Sequence, residues 1–226
     1  MTLTPAETLL FARHSVRAFT TEPVPRADAE RILRAARSAP SGANLQPGRF
    51  HLLTRAPLAS LGAALTAAAE NGRPPVAEYS YFPQPMPREL KEKQKAAGYA
   101  LYSSLGIGRR DIAARRSQFD KNYRFFNAPV GIVVTIHRDM GKGCFMDLGM
   151  ALMALMVAAE GMGYATCGIG ALANHADVAH EHLALPAEEL VVCGMALGRA
   201  DPEAAVNAVR TARDDPEEFA TFRGFS

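Results

Sequence analysis

The sequence has 226 residues, of which 48% are hydrophobic and 21% charged. That is the composition of a folded globular chain, one long domain or two short ones, and it excludes a disordered, collagenous or coiled-coil body. A formal net charge of +2 is too small for a dedicated nucleic-acid binder, and three cysteines cannot build a disulfide framework, so a reducing, cytoplasmic compartment is expected.

The N-terminus lacks the basic and apolar regions of a signal peptide. Thr4-Pro5-Ala6-Glu7 is a helix start, with a capping Thr, Pro in the first turn and Glu three residues on. The helix is expected to run to about Arg13, followed by an extended link from Ala18 to Val24. Pro25 opens a second helix with Ile32, Leu33 and Ala36 on one face. Ser38 to Gly48 reads as a loop, Arg49 to Thr54 as a strand and Pro57 to Glu70 as an alanine-rich helix. Asn71 to Pro87 holds five prolines and the aromatics Tyr79, Tyr81 and Phe82. An irregular excursion of this length points to function rather than filler.

Polar helices are expected over Glu89 to Leu105 and Arg109 to Phe119. Pro129 to His137 is a β-branched central strand. Cys144 to Met162 is a strongly apolar helix with Gly163 at its end. Its most apolar stretch, Leu148 to Ala159, lies between Asp147 and Glu160 and is shorter than the roughly 20 residues a bilayer needs, so no membrane span is expected. That helix is either central or part of a subunit interface. Ala165 to Ile169 is a short strand, Asn174 to Leu183 a helix and Glu189 to Leu197 a buried strand. Phe219, Phe222 and Phe225 suggest that the polar tail docks somewhere. The sum is an α+β domain with a sheet of about four strands amid long helices.

Four constellations carry possible chemistry. Arg13, Ser15 and Arg17 alternate along an extended segment, so their side chains point the same way. Guanidinium groups match phosphate oxygens bidentately, although such a pair by itself is more often a solvated basic turn. Ser41, Asn44 and Gln46, around Gly42, offer polar groups suited to the edge of a flat heterocycle, or form an ordinary connecting loop. Gly168 to Ala171 lets main chain approach a ligand, or is a strand-end turn; its spacing matches no phosphate-binding glycine motif. Arg210 and Arg213 are again two cations close together. His175, His180 and His182 lack the i, i+4 spacing of a helical metal pair, so no metal is expected. Cys144, Cys167 and Cys193 stand in apolar or small-residue surroundings and read as inert thiols.

In order, the segments R-H-S-V-R-A-F at Arg13 to Phe19, A-P-S-G-A-N-L-Q-P at Ala39 to Pro47, N-Y-R-F-F-N-A-P-V-G at Asn122 to Gly131, V-V-C-G-M-A-L-G at Val191 to Gly198 and the R-T-A-R run at Arg210 resemble the nitroreductase family, in its nitroaromatic-reducing branch. The resemblance covers most of the chain. It implies an α+β nitroreductase-like fold with a mostly antiparallel sheet, a domain-swapped-style homodimer and FMN at the interface. By position, Arg13, His14, Ser15, Arg17, Arg210 and Arg213 would hold the phosphate and ribityl chain. Pro40, Ser41, Gly42 and Asn44 of the other subunit would line the flavin. Arg124 would be the electrostatic stabiliser near flavin N1, and Gly168, Ile169, Gly170 and Ala171 would pass near N5.

The implied activity is reduction of a small nitroaromatic or quinone-type substrate by two-electron hydride transfer from NAD(P)H, with ping-pong kinetics and no catalytic acid–base pair. Alternatives on the same resemblance are a reductive dehalogenase, an enone reductase, a flavin-fragmenting enzyme, or a non-catalytic flavin binder. Residues 71–120 would be an excursion of a single 1–226 domain over the active site. Its aromatics Tyr79, Tyr81 and Phe82 would contact the substrate or pack in the dimer. Two residues depart from the family pattern: Gly48 stands where an aromatic is frequent, and Gly168 where proline is.

Overall fold

The computed structural model describes residues 2–225. The chain begins with α1 (Pro5–Ala12), held by the expected capping box. Thr4 Oγ1 accepts the Glu7 N–H at 3.3 Å, while the Glu7 carboxylate accepts the Thr4 N–H at 2.8 Å. Then come α2 (Arg26–Arg37), β1 (Arg49–Thr54), α3 (Arg55–Glu70), α4 (Arg88–Ser104), α5 (Ile112–Asp120), β2 (Val130–His137), α6 (Lys142–Gly161), β3 (Ala165–Ile169), α7 (Ala176–Leu183), β4 (Glu189–Gly198) and a single-turn α8 (Pro216–Phe219). Short 3-10 turns link several of them.

The strands form one antiparallel sheet in the order β1-β2-β4-β3. The alternation of β2 sorts its side chains to two faces. Ile132, Val134 and Ile136 join Leu148, Leu155 and Ala159 of α6 and Ile32 and Ala36 of α2. Val133 points the other way, among Leu61 and Leu65 of α3, Phe125 and Ala179 of α7. The sheet is thus sandwiched between two helical layers, each burying apolar side chains worth about 1.5–3 kcal/mol apiece.

Two features of the sheet position the site. The segment after α1 runs beside β3, where Ser15 bridges Thr166 and the Val16 N–H donates to the Thr166 carbonyl at 3.0 Å. On β4 the register against β2 slips between Val134 and Thr135, so Val192 has no partner on β2 and forms a bulge.

The elements lie within a few residues of expectation. Helix α6 is longer than expected: it starts at Lys142 and spans 20 residues, long and apolar enough by length and composition to cross a bilayer. Only the stripe Leu148, Ala151, Leu155 and Ala159 is buried, while Met146 and Met150 are 70% and 42% exposed. The helix is therefore neither wholly central nor wholly superficial: one face packs on the sheet and α2, and the other is open.

Candidate functional site

Segments 190 positions apart meet beside β3. Arg13, His14, Ser15 and Arg17 line a cavity of about 460 Å³ with Val209, Arg210, Thr211 and Arg213; Leu10 and Phe11 of α1 close one side. The two halves are joined by Asn207. Its side-chain oxygen accepts the backbone N–H groups of Arg17 and Ala18 at 2.9 and 3.2 Å, and its amide donates to the carbonyls of Ala18 and Asp201 at 2.8 and 2.9 Å. Asn207 is buried and fully satisfied, the condition under which a polar core residue rigidifies its surroundings. No motif in the sequence points to it. A weaker signal does: it is the single polar residue in the run from Ala204 to Val209.

The cavity is strongly cationic. Among the described residues none of Arg13, Arg17, Arg210 and Arg213 has a carboxylate within 4.0 Å, whereas eight other arginines do. Three of the four are oriented instead by local hydrogen bonds. Arg17 Nη1 donates to the Ser15 carbonyl at 3.3 Å, Arg210 Nη1 to that of Asn207 at 2.8 Å, and Arg213 Nη1 to the Thr211 carbonyl and hydroxyl at 3.1 and 2.7 Å. Arg13 Nε and His14 Nε2 are buried and make no hydrogen bond within the described residues. Arg13 Nε is a fixed donor whose burial without an acceptor costs about 1–3 kcal/mol, and an anion in the cavity would supply that acceptor; His14 Nδ1 donates to the Ala12 carbonyl at 3.0 Å. Four guanidinium groups around one pocket match a phosphate.

Next to this cradle, β3 ends in Gly168, Ile169, Gly170 and Ala171. Gly168 is the exposed residue of the strand, so its main chain is open to a flat ligand. Tyr81 lies against Gly170: a Cβ on that glycine would stand 3.2 Å from the Tyr81 ring. Tyr81 stacks edge-on with Phe82, their ring centroids 4.7 Å apart, and Tyr79 lies between Tyr81 and Phe145, at 6.3 and 5.9 Å. The three aromatics of the excursion therefore form one wall at the end of β3. At its other end the excursion helix α4 pairs Lys93 with Asp214, the neighbour of Arg213.

The loop Pro40 to Asn44 is elsewhere. It sits at the start of α6, where the Gly42 N–H donates to Asp147 at 3.0 Å, and it does not line the arginine cavity. It is unusually fixed. Ala43, Asn44 and Gln46 hold left-handed φ values of 50, 57 and 48°. Arg37 donates to the carbonyls of Gln46, Pro47 and Gly48, and Ser41 Oγ accepts the Gln46 N–H at 2.9 Å. Strain retained in an exposed, over-determined loop is a mark of a functional surface. Gly48 is explained here: at φ +92°, a Cβ would lie 2.5 Å from Leu148 Cδ1, so no aromatic fits this backbone.

Arg124 lies away from the arginine cavity. Within the chain it does not join the cradle. It lines a separate cavity of about 900 Å³ between α3 and the turn before β2, with no lining residue in common. Its Nε donates to Thr66 Oγ1 at 3.4 Å and its Nη2 lies 3.9 Å from Glu70. The neighbouring turn, with Phe125, Phe126 and Asn127 all left-handed, swings its side chain to that side of the molecule.

The other titratable groups are structural. His175 is buried beneath Tyr123, at 5.2 Å between centroids, and burial holds its imidazole below the ordinary value. His180 faces Glu78, and Asp177 pairs with Arg73. Burial pushes Cys193 up to about 12 and raises Cys167 as well, which leaves both as unreactive thiols.

A four-arginine cavity beside the third strand of a sheet held between two helical layers defines an α+β protein with a pocket suited to a phosphate-bearing ligand. Comparison with known proteins narrows this. Residues 10–199 match the model of the nitroreductase family, to which the chain belongs. It is 34% identical to a 4-nitrobenzoate reductase of Pseudomonas putida over 97% of this chain and 96% of that one. It is 36% identical to a chloronitrobenzene nitroreductase of Comamonas testosteroni over 95% of each. The crystal structure of the FMN and NADPH-dependent nitroreductase NfnB from Sphigopyxis sp. strain HMH superposes with a TM-score of 0.95, at 36% identity, covering 98% of this chain and 100% of that one. An FMN-dependent nitroreductase NfnB of Mycobacterium smegmatis, in complex with NADPH, superposes with a TM-score of 0.92 at 28% identity, covering 96% and 97%.

Proposed function

We propose that the protein is an FMN-dependent oxidoreductase that uses NAD(P)H to reduce nitroaromatic or quinone-type substrates. The observation that carries this reading is the arginine cavity: its four guanidinium groups have no carboxylate partner among the described residues, and the buried Arg13 Nε lacks an acceptor there, as a phosphate site requires. Bound there, FMN would supply the hydride chemistry, accepting from the nicotinamide and delivering to the substrate through N5. Arg13, Arg17, Arg210 and Arg213 neutralise and orient the phosphate, with His14 and Ser15 offering further polar contacts. Gly168 to Ala171 present main chain at the flavin edge, where a side chain would hold the ring away. Tyr79, Tyr81 and Phe82 give a flat aromatic substrate a surface to stack on and exclude water from it.

The working unit is a homodimer in this reading. The open face of α6 with Met146 and Met150, together with Leu10 and Phe11, supplies the apolar surface for it. The rigid, outward-facing loop Pro40, Ser41, Gly42 and Asn44 lacks a site in its own chain and completes that of the second copy. Residues 71–120 are part of the single domain and overhang the site, pinned by Tyr81 at Gly170 and by Lys93 at Asp214. The cysteines are free, in keeping with a reducing cytoplasm.

The test is direct. The purified protein is expected to be yellow, to release FMN on denaturation, and to bleach on anaerobic mixing with NADPH or NADH. Regain of colour on adding 4-nitrobenzoate then completes the cycle. A colourless protein that takes up no FMN overturns the reading, and a yellow one that does not bleach reduces it to a flavin binder.

A further inference from the structure

Glu78 anchors the aromatic wall to the N-terminal end of β4, beyond the point where the Val76 N–H ties the excursion to the Asn174 carbonyl at 2.8 Å. Glu78 is the only acidic residue between Asn71 and Pro87, and its side chain is 12% exposed. One oxygen accepts the backbone N–H of Val191 at 2.8 Å and has His180 Nε2 at 3.5 Å; the other accepts from Arg138 Nη2 at 2.6 Å. Arg138 is itself fixed, donating to the carbonyls of Ala187 and Glu189 at 3.1 and 3.0 Å. The next residue repeats the pattern, since the Tyr79 hydroxyl donates to the Val192 carbonyl at 2.6 Å. Burial raises the Tyr79 phenol well above its ordinary value, which keeps the donated proton in place.

The reason these two groups are free lies in the sheet. β3 pairs with β4 only from Gly194 to Gly198, so Val191 and Val192 lie beyond its end. The β4 bulge leaves Val192 without a partner on β2 as well. A buried strand N–H left unpaired is costly, and the Glu78 carboxylate takes the place of the missing strand. Three residues further on from Glu78, Tyr81 lies against Gly170.

We propose that Glu78 is a positioning residue of the substrate site: by clipping the excursion to the β4 bulge it sets where Tyr81 and Phe82 stand over the end of β3. It touches neither substrate nor cofactor. The inference rests on the reading of the aromatics as the substrate wall. It predicts a defect confined to aromatic substrate binding.

The experiment compares wild type, Glu78→Gln, Glu78→Ala, Tyr81→Ala and the double variant Glu78→Ala/Tyr81→Ala, all as FMN-loaded dimers. In Glu78→Ala the KM for 4-nitrobenzoate is expected to rise about tenfold, as loss of a charge-assisted buried hydrogen bond allows. FMN content and the rate of bleaching by NADPH stay at wild-type values. Glu78→Gln keeps an acceptor for the Val191 N–H and recovers most of the loss. In the Tyr81→Ala background the Glu78→Ala effect disappears, because the wall it positions is gone.

Hydrogen exchange gives a readout independent of activity: the Val191 amide, and the Val76 amide that donates to the Asn174 carbonyl at 2.8 Å, exchange at least about tenfold faster in Glu78→Ala, while the rest of the β2–β4 ladder is unchanged. An unchanged KM, an equal loss in the Tyr81→Ala background, unaltered exchange, or FMN loss parallel to the KM defect would each overturn the proposal. Should Glu78→Ala fail to fold, Glu78→Leu, which fills similar space but cannot accept the Val191 N–H, carries the same comparisons. A wild-type protein that takes up no FMN instead removes the functional reading, and the exchange comparison still decides whether Glu78 fixes the wall.

Discussion

The side-chain oxygen of Asn207 accepts the backbone N–H of Arg17 at 2.9 Å, across 190 positions of sequence. With its three companion bonds, this contact joins the two arginine pairs that line one cavity, the proposed phosphate site. Asn207→Ala is expected to leave buried backbone groups unpaired and to cost about 1–3 kcal/mol in stability, with a parallel loss of FMN affinity. Asn207→Asp should be as damaging, because a carboxylate cannot donate to the carbonyls of Ala18 and Asp201. Thermal unfolding and FMN fluorescence titration on the same samples check both.

Arg17→Ala and Arg213→Ala are each expected to weaken FMN binding by about 1–3 kcal/mol without lowering the melting temperature of the FMN-free protein. Neither guanidinium has a carboxylate partner to lose among the described residues, so the effect appears only when phosphate is present. Arg213→Lys should recover part of the loss, since it keeps the charge and loses the fork. Unchanged retention in both alanine variants would remove the phosphate from this cavity.

Gly48→Ala tests the rigid loop. A methyl at φ +92° meets Leu148 Cδ1 at 2.5 Å, so the loop must shift and α6 must repack. The expected cost is about 1–3 kcal/mol, read as a fall in melting temperature. Because the loop serves the second copy in the proposed dimer, FMN should also bind more weakly.

Stability is expected to fall on the acid side in two steps. Burial holds the His175 imidazole below its ordinary value, so the unfolded chain binds that proton more readily. The contribution is intact at neutral pH and is lost as pH falls below about 6.5. For Glu189, burial raises the carboxyl, but hydrogen bonds from Thr135 and His51 and the charges of His51 and Arg49 together outweigh it and leave it lowered. A lowered carboxylate stabilises above its unfolded value, about 4.3, and that contribution is lost as pH falls through the folded one. His175→Gln should flatten the first step and Glu189→Gln the second, in melting temperatures measured against pH.

Met146→Asp and Met150→Asp place a charge on the open face of α6. In the proposed dimer a carboxylate there would be buried without a partner, so sedimentation should show dissociation. FMN content should fall with it. A variant that remains a dimer with full FMN would place the interface elsewhere.

Much of the fold was legible along the chain because it is locally encoded. The Thr4–Glu7 capping box, the β-branched run of β2 and the apolar period of α2 are short-range patterns, and each element formed where it was expected. The two halves of the cradle were also legible, since arginines in extended segments are visible as residue types. Their meeting was expected only through the family resemblance, and the group that joins them, Asn207, was not: it is one amide in an apolar run. The turn after Arg124 was not legible either: three successive left-handed residues, Phe125, Phe126 and Asn127, shape it, and no local pattern announces them.

Local pattern was enough to define the α+β class, the strand set and a surplus of arginine near both ends of the chain, because periodicity and residue chemistry act over a few positions. The assembled fold settled the rest: which arginines share a cavity, which loop is left facing outward, and that a lone glutamate caps a strand bulge 113 positions further along the chain. Those outcomes depend on hydrogen bonds between groups 105 to 190 residues apart. Such bonds exist only once the sheet has closed and buried its unpaired backbone, where an unmet donor or acceptor is costly.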